Sequence, residues 1–112
     1  MGWTSTEDLV VVMCTAPDAE IAARLGRELV EKTLAACINI VPGLRSIYRW
    51  QGSLCDEPEV LMVIKTRKAK AAALADALRA GHPYQTPEII AIPVVGSLDA
   101  YAQWIRDSTP DG

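Results

Sequence analysis

Leu9-Val10-Val11-Val12-Met13-Cys14-Thr15-Ala16-Pro17-Asp18 decides the fold, because an unbroken apolar run passes straight into a helix start. Leu9 to Cys14 carries no polar alternation. It reads as a central strand buried on both faces. Thr15 or Asp18 can cap free backbone N–H groups, and Pro17 suits a first helical turn. The helix is expected to run to about Leu34. Ile21, Leu25 and Leu29 fall on one stripe with Ala22 and Val30 beside it, while Arg24, Arg27, Glu28 and Glu31 face water.

The same grammar recurs downstream. Ala36 to Val41 is a second strand that meets Pro42-Gly43, and Ser46 to Trp50 alternates as strand again. Ala36 to Trp50 is read as one long, bent strand. Gln51-Gly52-Ser53 opens a turn region closing near Glu57-Pro58. Val60 to Lys65 is another buried strand. A second helix is expected over Lys68 to Arg79, with Leu74 and Leu78 four apart. Gly81 suits the position past its end, and Pro83 prevents continuation. Glu88 to Val95 is the last long strand. Pro93 cannot donate to a ladder, which puts this strand at a sheet edge. Ser97 is expected to cap a short third helix carrying Leu98, Tyr101, Trp104 and Ile105. Thr109 to Gly112 reads as frayed.

Two consecutive strand-helix-strand halves with right-handed crossovers give an α+β, ferredoxin-like split β-α-β sandwich. The expected four-stranded antiparallel sheet has the order 4-1-3-2, with both helices on one face and a short C-terminal helix. The chain reads as one domain, 1–112, with an ordered core over about 8–107.

Composition agrees with a single core. Half of the 112 residues are apolar and 22% are charged. A net charge of −3 and a pI of about 5 argue against nucleic acid, whose binders carry a basic face. No apolar run is long enough to span a bilayer, so no membrane role is expected. The first residues lack the basic and apolar regions of a secretory signal. Gly2 followed by Thr6 matches the loose myristoylation pattern, but a disordered tail or cloning remnant accounts for the segment better. Cys14, Cys37 and Cys55 are odd in number with no C-x-x-C spacing. That speaks against disulfides and a zinc ribbon, and points to a reduced, cytoplasmic compartment.

Topology groups the chemistry. The first strand ends at Cys14, and the second helix returns to that same end at Gly81-His82-Pro83-Tyr84. A six-residue strand spans roughly 20 Å, which keeps Cys37 away from Cys14 and His82. A thiolate and an imidazole form a soft-to-borderline pair that favours copper. Against this, buried cysteine is usually inert packing, and His82 sits where an imidazolium would meet a helix dipole. Glu88 is a solvated charge at a strand start, or a group fixing the His82 tautomer. Lys65 ends a buried strand, and either snorkels to water or binds an anion. Tyr48 and Trp50 share one aromatic face, read first as a core or subunit contact. No G-x-S-x-G, Walker or H-E-x-x-H motif appears, so no enzyme is expected.

The ordered segments Cys14-Thr15-Ala16-Pro17, Leu34-Ala35-Ala36-Cys37-Ile38-Asn39, Ser46-Ile47-Tyr48-Arg49-Trp50-Gln51-Gly52, Glu59, Lys65-Thr66, His82-Pro83-Tyr84-Gln85-Thr86-Pro87-Glu88-Ile89, Tyr101 and Trp104-Ile105 resemble the CutA family of divalent-cation tolerance proteins. The resemblance covers about Val10 to Ile105. It implies a ferredoxin-like subunit in a tight homotrimer, cytoplasmic in bacteria, with a role in metal tolerance and copper binding and no known reaction. Copper ligands in the family are ascribed to the positions of Cys14 and His82. Some members have a second histidine where this chain has Gly81. The resemblance also suggests that Lys65, His82, Tyr84 and Glu88 line a cleft between subunits, where Tyr48 and Trp50 are expected as well. A contrasting expectation is a PII-like signalling trimer binding a small anion or nucleotide through Lys65 and Arg67. An enzyme using His82 and Glu88 as acid and base is a third.

Overall fold

The computed structural model describes residues 2–112; Met1, where the expected tail begins, lies outside them. The elements in order are β1 (Trp3–Ser5), β2 (Leu9–Ala16), α1 (Ala19–Glu31), β3 (Cys37–Trp50), β4 (Ser53–Arg67), α2 (Ala71–Gly81), β5 (Ile89–Pro93), β6 (Gly96–Leu98) and α3 (Asp99–Ser108). The main sheet is β3-β4-β2-β5 and every neighbouring pair is antiparallel. In terms of the four expected strands this is the 4-1-3-2 order, read from the other edge. Pro93 lies in β5, an edge strand, as its missing N–H requires.

Local chemistry starts and stops the elements. Asp18 caps α1 by accepting a hydrogen bond from the Ile21 N–H at 2.9 Å. The helix ends at Glu31, three residues before the expected stop, and Thr33 takes a left-handed φ of 57° in the exit. Ala22, Leu25, Gly26 and Leu29 form its buried stripe, whereas Val30 is exposed. One 3₁₀ turn over Lys68–Lys70 precedes α2, which keeps Gly81 as its last residue.

Three expectations are corrected. The turn region placed over 51–58 is only Gln51-Gly52, both with positive φ, and β4 starts at Ser53. Pro58 is tolerated within β4 because β2 ends opposite Val60, which leaves one flank of the β3–β4 hairpin free. Ser97 does not cap α3. It lies in β6, and its hydroxyl donates to the Leu98 carbonyl at 2.9 Å. The segment ahead of Leu9, expected as a tail, holds β1, which pairs with β6 through Trp3–Leu98, Thr4–Ser97 and Ser5–Gly96. Thr6 is buried and anchors that segment, with its N–H on the Val95 carbonyl at 3.1 Å and its hydroxyl on the Val94 carbonyl.

Alternation along β2 sorts the core. Val10, Val12, Cys14 and Ala16 point toward the helices, where they pack with Val60, Met62 and Ile64 of β4 against Leu25, Leu29, Leu74 and Leu78. A smaller cluster joins Leu9 and Ala36 to Ala102 and Ile105 of α3. The opposite sheet face departs from the expected two-sided burial. Register places Val11, Met13, Leu61, Val63, Val41, Ile90 and Ile92 together there. No element of the described chain covers it fully, and Ile90 stays 52% and Ile92 43% exposed.

Candidate functional site

Cys14 and His82 arrive at one end of β2, from a strand and from the end of a helix. Cys14 is fully buried on the helix-facing side, with Sγ 3.6 Å from the Thr15 carbonyl oxygen. Burial, and then the charges of Glu88 and Glu59, push its thiol up to about 12. The thiol is therefore protonated at neutral pH.

His82 follows α2 in extended backbone and is also buried. The Tyr84 N–H donates to its Nδ1 at 3.1 Å, and Nε2 lies 2.7 Å from the Thr15 carbonyl oxygen. A backbone N–H can only donate and a carbonyl can only accept. The ring is therefore the Nε2–H tautomer, with both nitrogens engaged. Its tautomer is set by these two backbone groups; Glu88 is exposed just ahead of β5 and makes no hydrogen bond to it. The Tyr84 ring packs 4.7 Å away, tilted by 53°.

This geometry answers whether copper fits the pair. A ligand thiolate would have to be generated in a site that holds the thiol neutral, and the imidazole has no free nitrogen to offer. As placed, Cys14 and His82 do not fit a copper ion. No group of three or more His, Cys, Asp or Glu able to hold a metal occurs among the described residues.

Cys37 starts β3 opposite Lys65, away from Cys14, as a strand's length requires. Cys55 is partly exposed on the hairpin. Lys65 stands on the open sheet face, and its Nζ donates to Asn39 Oδ1. Arg67 donates to the Thr109 carbonyl at 2.9 Å and to Asp111 Oδ1 at 2.7 Å. Both cations considered for an anion are thus engaged within the chain.

Three of the expected cleft residues do converge. Tyr48, Trp50 and Tyr84 line a pocket of about 210 Å³ together with Glu59, Gln85 and Thr86. Tyr48 and Trp50 come from β3, Glu59 from β4, and the others from the loop before β5. The Tyr84 hydroxyl donates to Glu59 Oε2 at 2.8 Å, and the Tyr48 hydroxyl to Glu57 Oε2 at 3.2 Å. Desolvation and neighbouring carboxylates hold both phenols well above their ordinary range, Tyr48 to about 12. Lys65 lies six positions along β4 from Glu59 and does not line this pocket. Glu59 is the residue that sequence reasoning left without a role, although it is 7% exposed. Its signal was a charge immediately ahead of the apolar run Val60–Ile64.

Comparison with known proteins places this arrangement. The CutA1 divalent ion tolerance protein family matches residues 10–108. The divalent-cation tolerance protein CutA of Thermus thermophilus is 44% identical over 99 residues, covering 88% of this chain and 96% of that one. The chloroplastic protein CutA of Arabidopsis thaliana is 40% identical over 106 residues, and this chain spans only 58% of its length. The crystal structure of CutA1 from Oryza sativa superimposes with a TM-score of 0.90 at 38% identity, covering 97% of this chain and all of that one. The periplasmic divalent cation tolerance protein CutA of Archaeoglobus fulgidus gives a TM-score of 0.88 at 38% identity, over 91% and 99% of the two chains. Chloroplastic and periplasmic relatives correct the cytoplasmic expectation: cysteine usage does not set the compartment of such a chain. The chain belongs to the CutA1 divalent ion tolerance protein family.

Proposed function

We propose that this chain works as a homotrimer in tolerance to divalent cations, copper among them, by binding rather than by catalysis. The observation that carries the assembly is the open sheet face. Val11, Met13, Leu61, Val63, Ile90 and Ile92 form a contiguous apolar surface on one side of a sheet whose other side packs on α1 and α2. A monomer rarely leaves such a face to water, because every exposed apolar Å² costs about 25 cal/mol. The long β3–β4 hairpin adds a free strand flank that a neighbour can pair with. In this reading Lys65 lies on the buried face, while Tyr48, Trp50, Tyr84 and Glu88 stand near the seams.

The metal part rests on the family, whose members are named for divalent-cation tolerance. Ligation by Cys14 and His82 demands a rearranged state in which the thiol loses its proton and His82 leaves one backbone partner. Sedimentation of the purified chain tests the assembly, with three times the 12.1 kDa chain mass expected. Copper titration of wild type, Cys14→Ser and His82→Ala tests the metal part. A monomer in the first experiment, or no saturable copper uptake in the second, sinks the corresponding half.

A further inference from the structure

The end of the sheet away from Cys14 and His82 carries a concentration of positive charge that the proposed function does not use. Arg67 closes β4 opposite Leu9, the first residue of β2. Lys68 and Lys70 follow in the 3₁₀ turn that leads into α2. A chain of net charge −3 thus places three cations within four residues. Neither lysine is in an ion pair among the described residues.

Arg67 is held in place rather than free to swing. Its side chain is only 15% exposed. Nε donates to the Thr109 carbonyl at 2.9 Å and to the Thr109 hydroxyl oxygen at 3.2 Å. Thr109 is fully buried behind α3, where its own hydroxyl donates to the Ile105 carbonyl at 2.8 Å. The stretch expected to fray is therefore pinned at Thr109. The exposed partner of the same guanidinium is Asp111, whose Oδ1 accepts from Nη2 at 2.7 Å. The Asp111 side chain is 86% exposed and makes no other hydrogen bond among the described residues. Arg67, and then Lys70, hold its carboxyl below the usual carboxylate range.

The charges around that carboxylate do not balance. Arg67 and Lys70 supply two positive charges, Asp111 returns one, and Lys68 stands exposed beside them. A group with nearly two negative charges matches the pair better, and a phosphoryl group carries them at neutral pH. It also offers three oxygens, enough for the planar fork of Arg67 and the point charge of Lys70 together. A single exposed ion pair is a weak contact, which makes Asp111 a replaceable occupant. Being tethered, it competes at an effective concentration on the order of millimolar.

We propose that Arg67 and Lys70 form a binding site for a phosphoryl dianion, and that Asp111 covers this site as a displaceable internal competitor. Every group involved comes from one chain, at the opposite end of β2 from Cys14 and His82, so neither the assembly nor the metal reading bears on it.

Isothermal titration of the full chain with inorganic phosphate tests it. Ionic strength is held constant with sodium chloride, and a chelator is present so that no bound metal carries the phosphate. Glycerol 3-phosphate in a second arm separates the free ion from a phosphate ester. Saturable binding of at least one of the two is expected. Asp111→Asn keeps the side-chain shape and removes the competing charge, so binding should tighten about fivefold. Lys70→Ala removes an ammonium that has no ion pair to lose, and binding should weaken about tenfold. Both positions lie outside the core, so folding is not at stake. No saturable binding of either compound to Asp111→Asn would overturn the proposal. So would equal or weaker affinity in Asp111→Asn than in wild type, or unchanged affinity in Lys70→Ala.

Discussion

His82 donates from Nε2 to the carbonyl of Thr15 across 2.7 Å, tying the end of α2 to the end of β2. The two residues are 67 apart in the chain, and the bond is buried. With Tyr84 N–H on Nδ1, the imidazole acts as a clasp between a strand, a helix end and the loop that carries the pocket. His82→Ala removes the imidazole from the Thr15 carbonyl and leaves the Tyr84 N–H without its ring acceptor. An unfolding free energy lower by about 1–3 kcal/mol is expected in urea. An unchanged midpoint would show that the clasp holds nothing.

Cys14 yields a pH dependence whose sign follows from burial. Its thiol is raised from 9.0 to about 12, so between those values the folded chain binds more protons than the unfolded one. The contribution is fully present below pH 9 and is lost as pH rises toward 12. Urea midpoints should fall between pH 8 and 10, with a limiting slope of about 1.4 kcal/mol per pH unit from this group. Tyr48, Tyr84 and Tyr101 are raised as well and act in the same direction. Cys14→Ala isolates the thiol's share by flattening the decline, and parallel curves for the two proteins would contradict the assignment. Disulfide-exchange labelling at pH 8 should reach Cys55 first and Cys14 only on unfolding.

Asp18 supplies the one side-chain cap observed on the three α-helices among the described residues. Asp18→Ala is expected to cost about 1 kcal/mol, and Asp18→Asn a fraction of that. Because Asp18 is exposed, the loss is local to the helix start. Faster amide exchange at Ile21 is the specific sign to look for, and slow exchange there would deny the cap its role.

Val63 occupies the middle of the open sheet face, between Met13 and Asn39 on the neighbouring strands. Val63→Glu places a charge at the centre of the proposed seam without touching the helix-side core. A smaller sedimenting species with unchanged far-ultraviolet circular dichroism is expected. Retention of the full assembly would move the interface elsewhere.

Much of this architecture is legible in short stretches of chain. The apolar run of β2, the Asp18 cap and the buried Leu25 and Leu29 depend on periodicities and caps that act within a few residues. Pro93 placed β5 at an edge because a missing donor is a local fact. The β3–β4 hairpin departs from the expected turn for a related reason. Asp56, Glu57 and Pro58 look like a turn, yet they belong to a two-stranded extension in which one flank needs no partner. Glu59 shows no local sign of its burial, because the residue whose hydroxyl it accepts, Tyr84, lies 25 residues away.

The order of strands and the meeting of β2 with the His82 loop follow from the sequence alone, since helix lengths and right-handed crossovers leave little choice. Burial, protonation and hydrogen-bond occupancy were decided only by the tertiary structure, because they depend on neighbours remote along the chain. Cys14 and His82 are recognisable as candidate ligands by residue type. Only packing shows that one is a neutral core thiol and the other a fully engaged clasp. The two faces of β2 are equally apolar in sequence, and only the fold reveals which one the helices cover and which is left for another molecule.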